Sequence, residues 1–255
     1  EIMALAGIEV ETPFPRFTYQ ECMDKYGNDA PDLRFGLEIV DVSDLAAEAE
    51  FKVFRGAVDA GGQVRAINAK GASANIARRQ LDKYTDYVKE FGAKGLAWGR
   101  VEETGLNSPI SKFFEEDLLN RFLERLGAEP GDVLFFVADQ RKVVDQSLSN
   151  LRMALGRDLN LIPENTWNLS WVVDFPLVEF DEDEDRWVAL HHPFTAPKPE
   201  YLNSLEERTG EALAIAYDLN LNGNEIGGGS IRIHDQNLQK RMFSLLGISE
   251  EEAEL

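Results

Sequence analysis

Cysteine, positive charge and long apolar runs are scarce in this chain of 255 residues. Its one cysteine, Cys22, cannot form an internal disulfide, which fits a reducing compartment. No apolar run is long enough to span a bilayer, and the N-terminal EIMALAGIEV lacks a basic flank and a cleavage signature. We therefore expect a cytoplasmic protein without membrane contact. Because an initiator Met is missing, we also expect that the chain begins inside a longer protein.

Basic residues are outnumbered by acidic ones, 26 Lys and Arg against 46 Asp and Glu, so the formal net charge is −20. A surface of this charge repels nucleic-acid phosphates. We therefore expect no extensive RNA contact from this chain alone, unless a local basic patch or another domain provides it.

Several catalytic motifs are also missing. The chain has no GxxxxGK[ST] loop, no GxGxxG after a first strand, no HExxH and no paired CxxC. Nothing resembles a GxSxG nucleophile elbow, and Cys22 falls on the face of an apparent helix. These absences argue against a P-loop enzyme, a Rossmann dehydrogenase, a zinc protease and a serine hydrolase.

The chain has a globular composition, and the pattern of residues 34–165 predicts a self-contained α+β module. Alternating or buried-type apolar runs predict strands, and amphipathic runs that end at glycine predict helices. The expected order is strand 51–59, strand 63–69, helix 78–92, strand 95–101, helix 113–127, strand 131–139 and helix 144–159.

The flanking regions, 1–33 and 166–255, differ in pattern from this module. The first reads as two helices around a proline-rich connector. The second reads, in order, as strand 169–181, the acidic hairpin turn DEDED, strand 186–194, short helix 203–210, a hairpin and helix 235–247. We therefore predict one domain, formed by both flanks, that an insertion at 34–165 interrupts.

The most informative segment is YDLNLNGNEIGGGSIRIH, residues 217–234. Asn222-Gly223 between alternating apolar residues is a strong hairpin signal. Three glycines, Gly227, Gly228 and Gly229, stand where strand formers are expected, which indicates a bulge or a ligand close to the backbone. The alternative is an ordinary twisted hairpin with solvated charges.

Charged residues in this hairpin predict a site for a metal-bound phosphate and a small anion. Glu225 can pair with Asn222 or with Asn220, and in both registers Asp218 shares its face with Glu225. Arg232 lies an odd number of residues beyond Glu225, so a regular strand would place it on the other face. One bulged residue in the glycine run would restore it to the same face.

The segment HHPFTAP, residues 191–197, is the second candidate for chemistry. Its adjacent histidines would point to opposite faces of a strand, so at most one can face a given pocket. A histidine at a strand end is often a hydrogen-bonded structural residue. The third histidine of the chain, His234, lies beside Arg232, and this clustering favours a functional role.

These two segments, together with YGNDAPDLRFG at 26–36, resemble the bacterial-type aspartyl-tRNA synthetases, which are class II synthetases. The resemblance extends along nearly the whole chain. Residues 34–165, which include GLAWGRV, look like the GAD insertion domain of that type. The implied fold is part of an antiparallel class II catalytic sheet, interrupted by this insertion.

The resemblance also implies roles for single residues. It assigns His191 and Arg232 to the substrate aspartate, Glu225 to ATP, and Asp218 with Glu225 to Mg²⁺ on the ATP phosphates. The glycines 227–229 would let aspartate and adenylate approach the backbone. The implied reaction forms aspartyl-adenylate and then aspartyl-tRNA, with no protein nucleophile.

Other parts of the family pattern are not in this sequence. These are the anticodon-binding barrel, the dimer-forming first motif and the arginine-bearing second and third motifs. We therefore expect a fragment that is inactive alone, from a homodimeric parent that uses aspartate, ATP and tRNA. The alternatives are an RNA- or protein-binding module built on the insertion, against which residues 34–165 show no basic stripe, and a ligase that also charges asparagine tRNA.

Overall fold

The structure is a computed structural model that describes residues 2–5 and 7–249. The chain divides into two compact units. The first unit comprises residues 1–21 and 167–255, and the second comprises residues 22–166. The predicted insertion at 34–165 lies within the second unit, and its proposed boundaries stay a prediction.

Helices and strands alternate through most of the described residues. The helices are α1 Ile2–Leu5, α2 Tyr19–Tyr26, α3 Ser43–Glu48, α4 Lys52–Asp59, α5 Arg78–Lys89, α6 Glu116–Arg125, α7 Arg141–Asp158 and α8 Gln236–Leu245. The strands are β1 Arg16–Thr18, β2 Ile39–Asp41, β3 Gln63–Ala69, β4 Ala97–Glu102, β5 Gly105–Asn107, β6 Val133–Asp139, β7 Leu169–Val173, β8 Val178–Asp181, β9 Arg186–Ala189, β10 Ala216–Leu221 and β11 Asn224–Ser230. The α+β class expected from the sequence is confirmed. No helix among the described residues is both long and apolar enough to cross a membrane.

The second unit is built on a five-stranded antiparallel sheet in the order β2-β3-β6-β4-β5. Both faces of this sheet are buried, because alternate residues of its strands enter two different apolar clusters. Ile67 and Phe135 pack with residues of α5 and α7 on one face. Ala66 and Phe136 pack with residues of α3, α4 and α6 on the other.

One strand prediction in this unit is wrong, because residues 52–59 form helix α4. The run FKVFRGAVD fits both a period of two and a helical period. Phe51, Phe54 and Val58, three and four residues apart, pack into one apolar cluster, whereas Val53 stays 56% exposed. A helix buries that set on one side, and Gly61 follows it with a positive φ of 76°.

The first unit contains a four-stranded sheet in the order β1-β7-β10-β11. Its neighbouring pairs are antiparallel except β1 with β7, which is parallel. Helix α8 begins after Asp235, whose side chain accepts a 2.7 Å hydrogen bond from the Leu238 amide. Asp235, the first residue of the predicted helix 235–247, therefore caps the N-terminus of this helix.

Three other predictions for this unit were wrong in their extent. The strand expected at 169–181 is divided into β7 and β8, because Asp174 has a positive φ of 61° and Pro176 follows it. The strand expected at 186–194 ends at Ala189, so both histidines lie in the loop beyond it. Residues 203–208 form turns, and a 3₁₀ turn follows at Thr209–Glu211, so the expected α-helix is absent there. The acidic hairpin turn is confirmed, since Asp181 accepts hydrogen bonds from the amides of Asp183 and Glu184.

The segment at 26–36 in the second unit is organised by the buried side chain of Arg152, which is 1% exposed. Its guanidinium lies 4.1 Å from the centre of the Phe35 ring and 4.8 Å from that of Tyr26. It donates hydrogen bonds to the carbonyls of Asp32, Phe35 and Gly36. Burial lowers the pKa of Arg152 to about 10.

A second buried arginine, Arg65 on β3, pairs with Asp145 on α7, and their side chains are 2% and 4% exposed. Arg65 also donates to the backbone carbonyls of Met23 and Asp24. Arg141 reaches Asp145 from the other side at 2.6 Å. Because burial disfavours the charged guanidinium, the pKa of Arg65 is lowered, although the negative charge of Asp145 opposes this shift.

We predict that Asp145→Asn destabilises the protein by about 3 kcal/mol, because removal of one partner leaves a buried charge uncompensated. The measurement is the free energy of unfolding in urea. The control is Asp86→Asn, whose carboxylate is 79% exposed and pairs with Lys89. It should change the free energy of unfolding by well under about 1 kcal/mol. Equal losses in both variants would contradict the structural role of the buried pair.

Candidate functional site

The hairpin of β10 and β11 contains the predicted bulge. Asn222 and Gly223 take positive φ values of 51° and 81°, as a two-residue hairpin turn requires. Beyond the turn Asn220 pairs with Glu225, whereas Leu219 pairs with Gly227. Ile226 is therefore the extra residue. The sequence pattern predicted it in the glycine run, so the bulge is confirmed and its position is corrected by one residue.

This register brings two carboxylates to one face of the sheet. Asp218 pairs with Gly228, and both alternate in phase with Asn220 and Glu225. A Cβ atom on Gly228 would overlap the Asp218 carboxylate and lie 3.0 Å from Oε1 of Glu225. The two carboxylates therefore converge above this glycine, which has room for them because it carries no side chain.

The other two glycines have different surroundings. A Cβ on Gly229 would lie 2.9 Å from the hydroxyl oxygen of Tyr217, on the opposite face from Asp218. A Cβ on Gly227 would meet nothing within 4 Å. The three glycines are therefore not equivalent. On the carboxylate face, Gly228 is the position where an added side chain would clash with the carboxylates.

Of the two adjacent histidines, His191 contacts this face. Its Nε2 lies 3.9 Å from Oδ2 of Asp218, and its ring packs edge-on against buried Phe175 at 4.6 Å. His192 instead stacks on Phe194 at 4.8 Å, and its Nδ1 accepts a hydrogen bond from the Phe194 amide. The expectation that at most one histidine can serve the site agrees with this geometry, although neither lies in a strand.

Arg232 is joined to the HHPFTAP segment through the backbone. It forms an antiparallel bridge with Thr195, and its Nη1 donates to Oγ1 of Thr195 at 3.4 Å. Two further hydrogen bonds, each of 2.8 Å, run from Ala196 N to the Ile231 carbonyl and from Ile233 N to the Phe194 carbonyl. The segment that carries His191 and the residues just after β11, which include Arg232, are thus fixed to each other.

Two hydroxyls and one amide on this surface were not predicted from the sequence. Thr195 is buried and lies 3.3 Å, between the hydroxyl oxygens, from Ser230. Asn220, 1% exposed, shares the face of Asp218. Thr195 belongs to the HHPFTAP motif, which is already a candidate site in the sequence. Asn220 lies two residues after Asp218, and this spacing indicates that the two side chains share one face of a strand.

The arrangement combines two carboxylates, an imidazole and a guanidinium within one unit. Among the described residues, no group of three or more His, Cys, Asp or Glu side chains is placed to hold a metal ion. A cation at Asp218 and Glu225 would therefore need further ligands from a bound molecule. Mg²⁺ is commonly held in this way, by one or two carboxylates together with substrate phosphates.

Comparison with known proteins begins with a family model described as the GAD domain, which matches residues 54–148 of this chain. Over 97% of its length the chain is also 54% identical to an aspartate–tRNA ligase of Macrococcus caseolyticus. It is 55% and 52% identical to aspartate–tRNA(Asp/Asn) ligases of Natranaerobius thermophilus and Bacillus cereus, again over 97% of its length. It spans 42% of the length of each of these relatives.

The resemblance inferred from the motifs is thereby confirmed. Residues 54–148 match the GAD domain, and nearly the whole chain is similar to a segment of bacterial aspartate–tRNA ligases. Among solved structures, a hypothetical protein of Pyrococcus horikoshii OT3 aligns with a TM-score of 0.28 and 18% identity, over 40% of this chain and 58% of that one. A likeness of that size supports no argument.

We predict that Gly228→Ala displaces the Asp218 carboxylate while the hairpin stays folded, because the overlapping atoms belong to a side chain that can rotate. The measurement is the NMR chemical shift of the Asp218 and Glu225 carboxylate carbons in the 255-residue chain. Gly227→Ala is the matched control, since its new methyl group would meet open space. Equal shift changes in the two variants would contradict the convergence of the carboxylates on Gly228.

Proposed function

We propose that this chain forms part of the catalytic domain of a class II aspartate–tRNA ligase, together with its inserted GAD domain at 34–165. The carrying observation is that Asp218, Glu225 and His191 meet on one face of the four-stranded sheet. Arg232 is bridged to Thr195 in the HHPFTAP segment that also carries His191. The identity to curated aspartate–tRNA ligases supports the assignment of that surface to aspartate and ATP. The proposed location of the parent protein is the cytoplasm, and its proposed assembly is a homodimer.

Each residue receives a role that suits its chemistry. Asp218 and Glu225 would hold Mg²⁺ on the phosphates of ATP, since carboxylate oxygens are hard ligands for a hard cation. Arg232 would pair with a carboxylate of the substrate aspartate through its planar fork of donors. His191, 3.9 Å from Asp218, would contact the same substrate. No protein nucleophile is needed, because positioning and charge stabilisation favour attack of the aspartate carboxylate on the α-phosphate.

This chain holds only part of the proposed catalytic site. The chain spans 42% of these relatives, and the arginine-bearing motifs that would clamp the ATP phosphates are not in its sequence. We propose that the 255-residue chain alone does not activate aspartate.

Curated relatives at similar identity are named both as aspartate–tRNA ligases and as aspartate–tRNA(Asp/Asn) ligases. A parent that charges both tRNAs is therefore an alternative proposal.

The test is a chimera in which this chain replaces the matching segment of the Macrococcus caseolyticus enzyme. We expect aspartate-dependent exchange of pyrophosphate into ATP by the chimera and none above background by the isolated chain. Arg232→Leu should lower the exchange rate by orders of magnitude, because the substrate carboxylate loses its charged partner.

The matched control is Arg186→Leu, which alters a half-exposed arginine in the same unit whose carboxylate partner is Glu184. Its exchange rate should stay close to that of the unmutated chimera. A folded chimera without exchange, or unchanged aspartate kinetics in Arg232→Leu, would contradict the proposed function.

RNA contact by the second unit is the alternative that one observation favours. Residues 60–81 contain no acidic residue in a chain of net charge −20. Arg78, exposed at the end of this stretch, lies over the Trp98 ring at 4.8 Å and also pairs with Asp82. Arg79 beside it is exposed. A cationic surface beside an aromatic ring is typical of nucleic-acid contact.

For this alternative we predict that the double variant Arg78→Ala with Arg79→Ala weakens binding of a labelled tRNA transcript to the 255-residue chain. The slope of log affinity against log salt should fall by about two, because two phosphate contacts are lost. The measurement is fluorescence anisotropy across a salt series. Arg121→Ala with Arg125→Ala removes the same charge from α6 and should have less effect. No binding at low salt, or equal losses in both double variants, would dismiss the alternative.

A further inference from the structure

Thr195 places a buried hydroxyl between two residues of the candidate site. The residue is 1% exposed, so its hydroxyl must find partners within the protein. Its Oγ1 lies 3.3 Å from Oγ of Ser230 and 3.4 Å from Nη1 of Arg232. A threonine hydroxyl has one hydrogen to donate and two lone pairs. It can therefore donate to Ser230 and accept from Arg232 at the same time.

The Thr195–Arg232 bridge fixes the backbone at Arg232 but leaves its long side chain to be oriented. The flanking hydrogen bonds at Ala196 and Ile233 hold the two segments in register. Arg232 itself is exposed. An exposed arginine side chain loses considerable rotamer freedom when it is held in one direction. A contact from the side chain of its bridge partner reduces that freedom before any ligand binds.

Carboxylates bind two other arginines near the end of this unit. Arg208 pairs with Glu211, and Arg241 pairs with Glu206. Within the described part of the chain Arg232 forms no ion pair, and its hydrogen-bonded side-chain partner is the neutral hydroxyl of Thr195. A neutral acceptor orients a guanidinium without cancelling its charge. The remaining donors of the fork are then available to a bound carboxylate.

We propose that Thr195 is a positioning residue that orients the Arg232 guanidinium, with Ser230 holding the Thr195 hydroxyl in place. The nature of the ligand, a carboxylate of aspartate, rests on the proposed function, but the orientation itself does not. At 3.4 Å the contact is at the long end of hydrogen-bond distances. Its contribution lies in the direction that it gives to Arg232 more than in binding strength.

The first test measures the mobility of Arg232 in the 255-residue chain by ¹⁵N relaxation of its Nε–H group. Thr195→Val keeps the shape of the side chain and removes the hydroxyl, so the heteronuclear NOE of Arg232 Nε should fall. Thr195→Ser restores the hydroxyl and should restore the NOE. Thr209→Val is the matched control, because Thr209 is another buried threonine of this unit, with its hydroxyl bonded to Leu205 and Glu206 carbonyls.

The NOE of Arg232 should be unchanged in Thr209→Val. An NOE that stays the same in Thr195→Val, or that falls equally in Thr209→Val, would overturn the proposal. These outcomes do not depend on any enzymatic activity, so they decide the positioning role even if the proposed function is wrong.

The second test uses the chimera with the Macrococcus caseolyticus enzyme. Thr195→Val should raise the KM for aspartate about fivefold, because the ligand must then order an Arg232 side chain that is no longer oriented in advance, and leave the KM for ATP unchanged. Thr195→Ser should recover the KM for aspartate. Equal changes in both KM values, or no change in either, would count against Thr195 as a positioning residue. A chimera that is inactive before substitution counts instead against the proposed function.

Discussion

The register of the hairpin is the constraint on which the candidate site depends. A strand alternates its side chains with a period of two, so a shift of one residue moves every later side chain to the other face. The unpaired Ile226 introduces that shift between Glu225 and the glycines. Residues on both sides of the bulge, Glu225 before it and Gly228 after it, consequently lie on the face of Asp218. Without the extra residue Glu225 and Gly228 would lie on opposite faces of the sheet.

Close approach of side chains to the backbone makes the site possible. Gly228 leaves room for Asp218 and Glu225 to converge, and Phe175 supports the ring of His191 from the side. The bridge between Thr195 and Arg232 then joins the HHPFTAP segment to the residues just after β11. Segments that are distant in sequence are thus held together within the first unit.

In the second unit, buried arginine side chains have a structural role. Arg65 and Arg152 are buried almost completely, and each is surrounded by carbonyl oxygens, aromatic rings or a carboxylate. Removal of a guanidinium from water is costly, and these partners offset part of that cost, although Nε of Arg65 has no hydrogen-bond partner among the described residues. The segment at 26–36, which contributed to the resemblance, has a structural explanation here, because Tyr26, Asp32 and Phe35 all contact Arg152. These contacts hold the 26–36 segment in place near the start of this unit, a role that requires no contact with a substrate.

Local sequence patterns were sufficient to predict the structure wherever neighbouring residues determine it. The Asn222-Gly223 turn, the cap at Asp235, the acidic hairpin turn and the need for a bulge all follow from backbone preferences that short sequences carry. The resemblance to aspartate–tRNA ligases likewise rests on short motifs. Residues 51–59 were misread, since their apolar spacing fits both a strand and a helix, and packing against the sheet selects the helix. The position of the bulge, the meeting of His191 with Asp218 and the burial of Thr195 arise from contacts between distant segments. Such contacts leave no periodic trace in the sequence, because they depend on where the folded backbone brings those segments together.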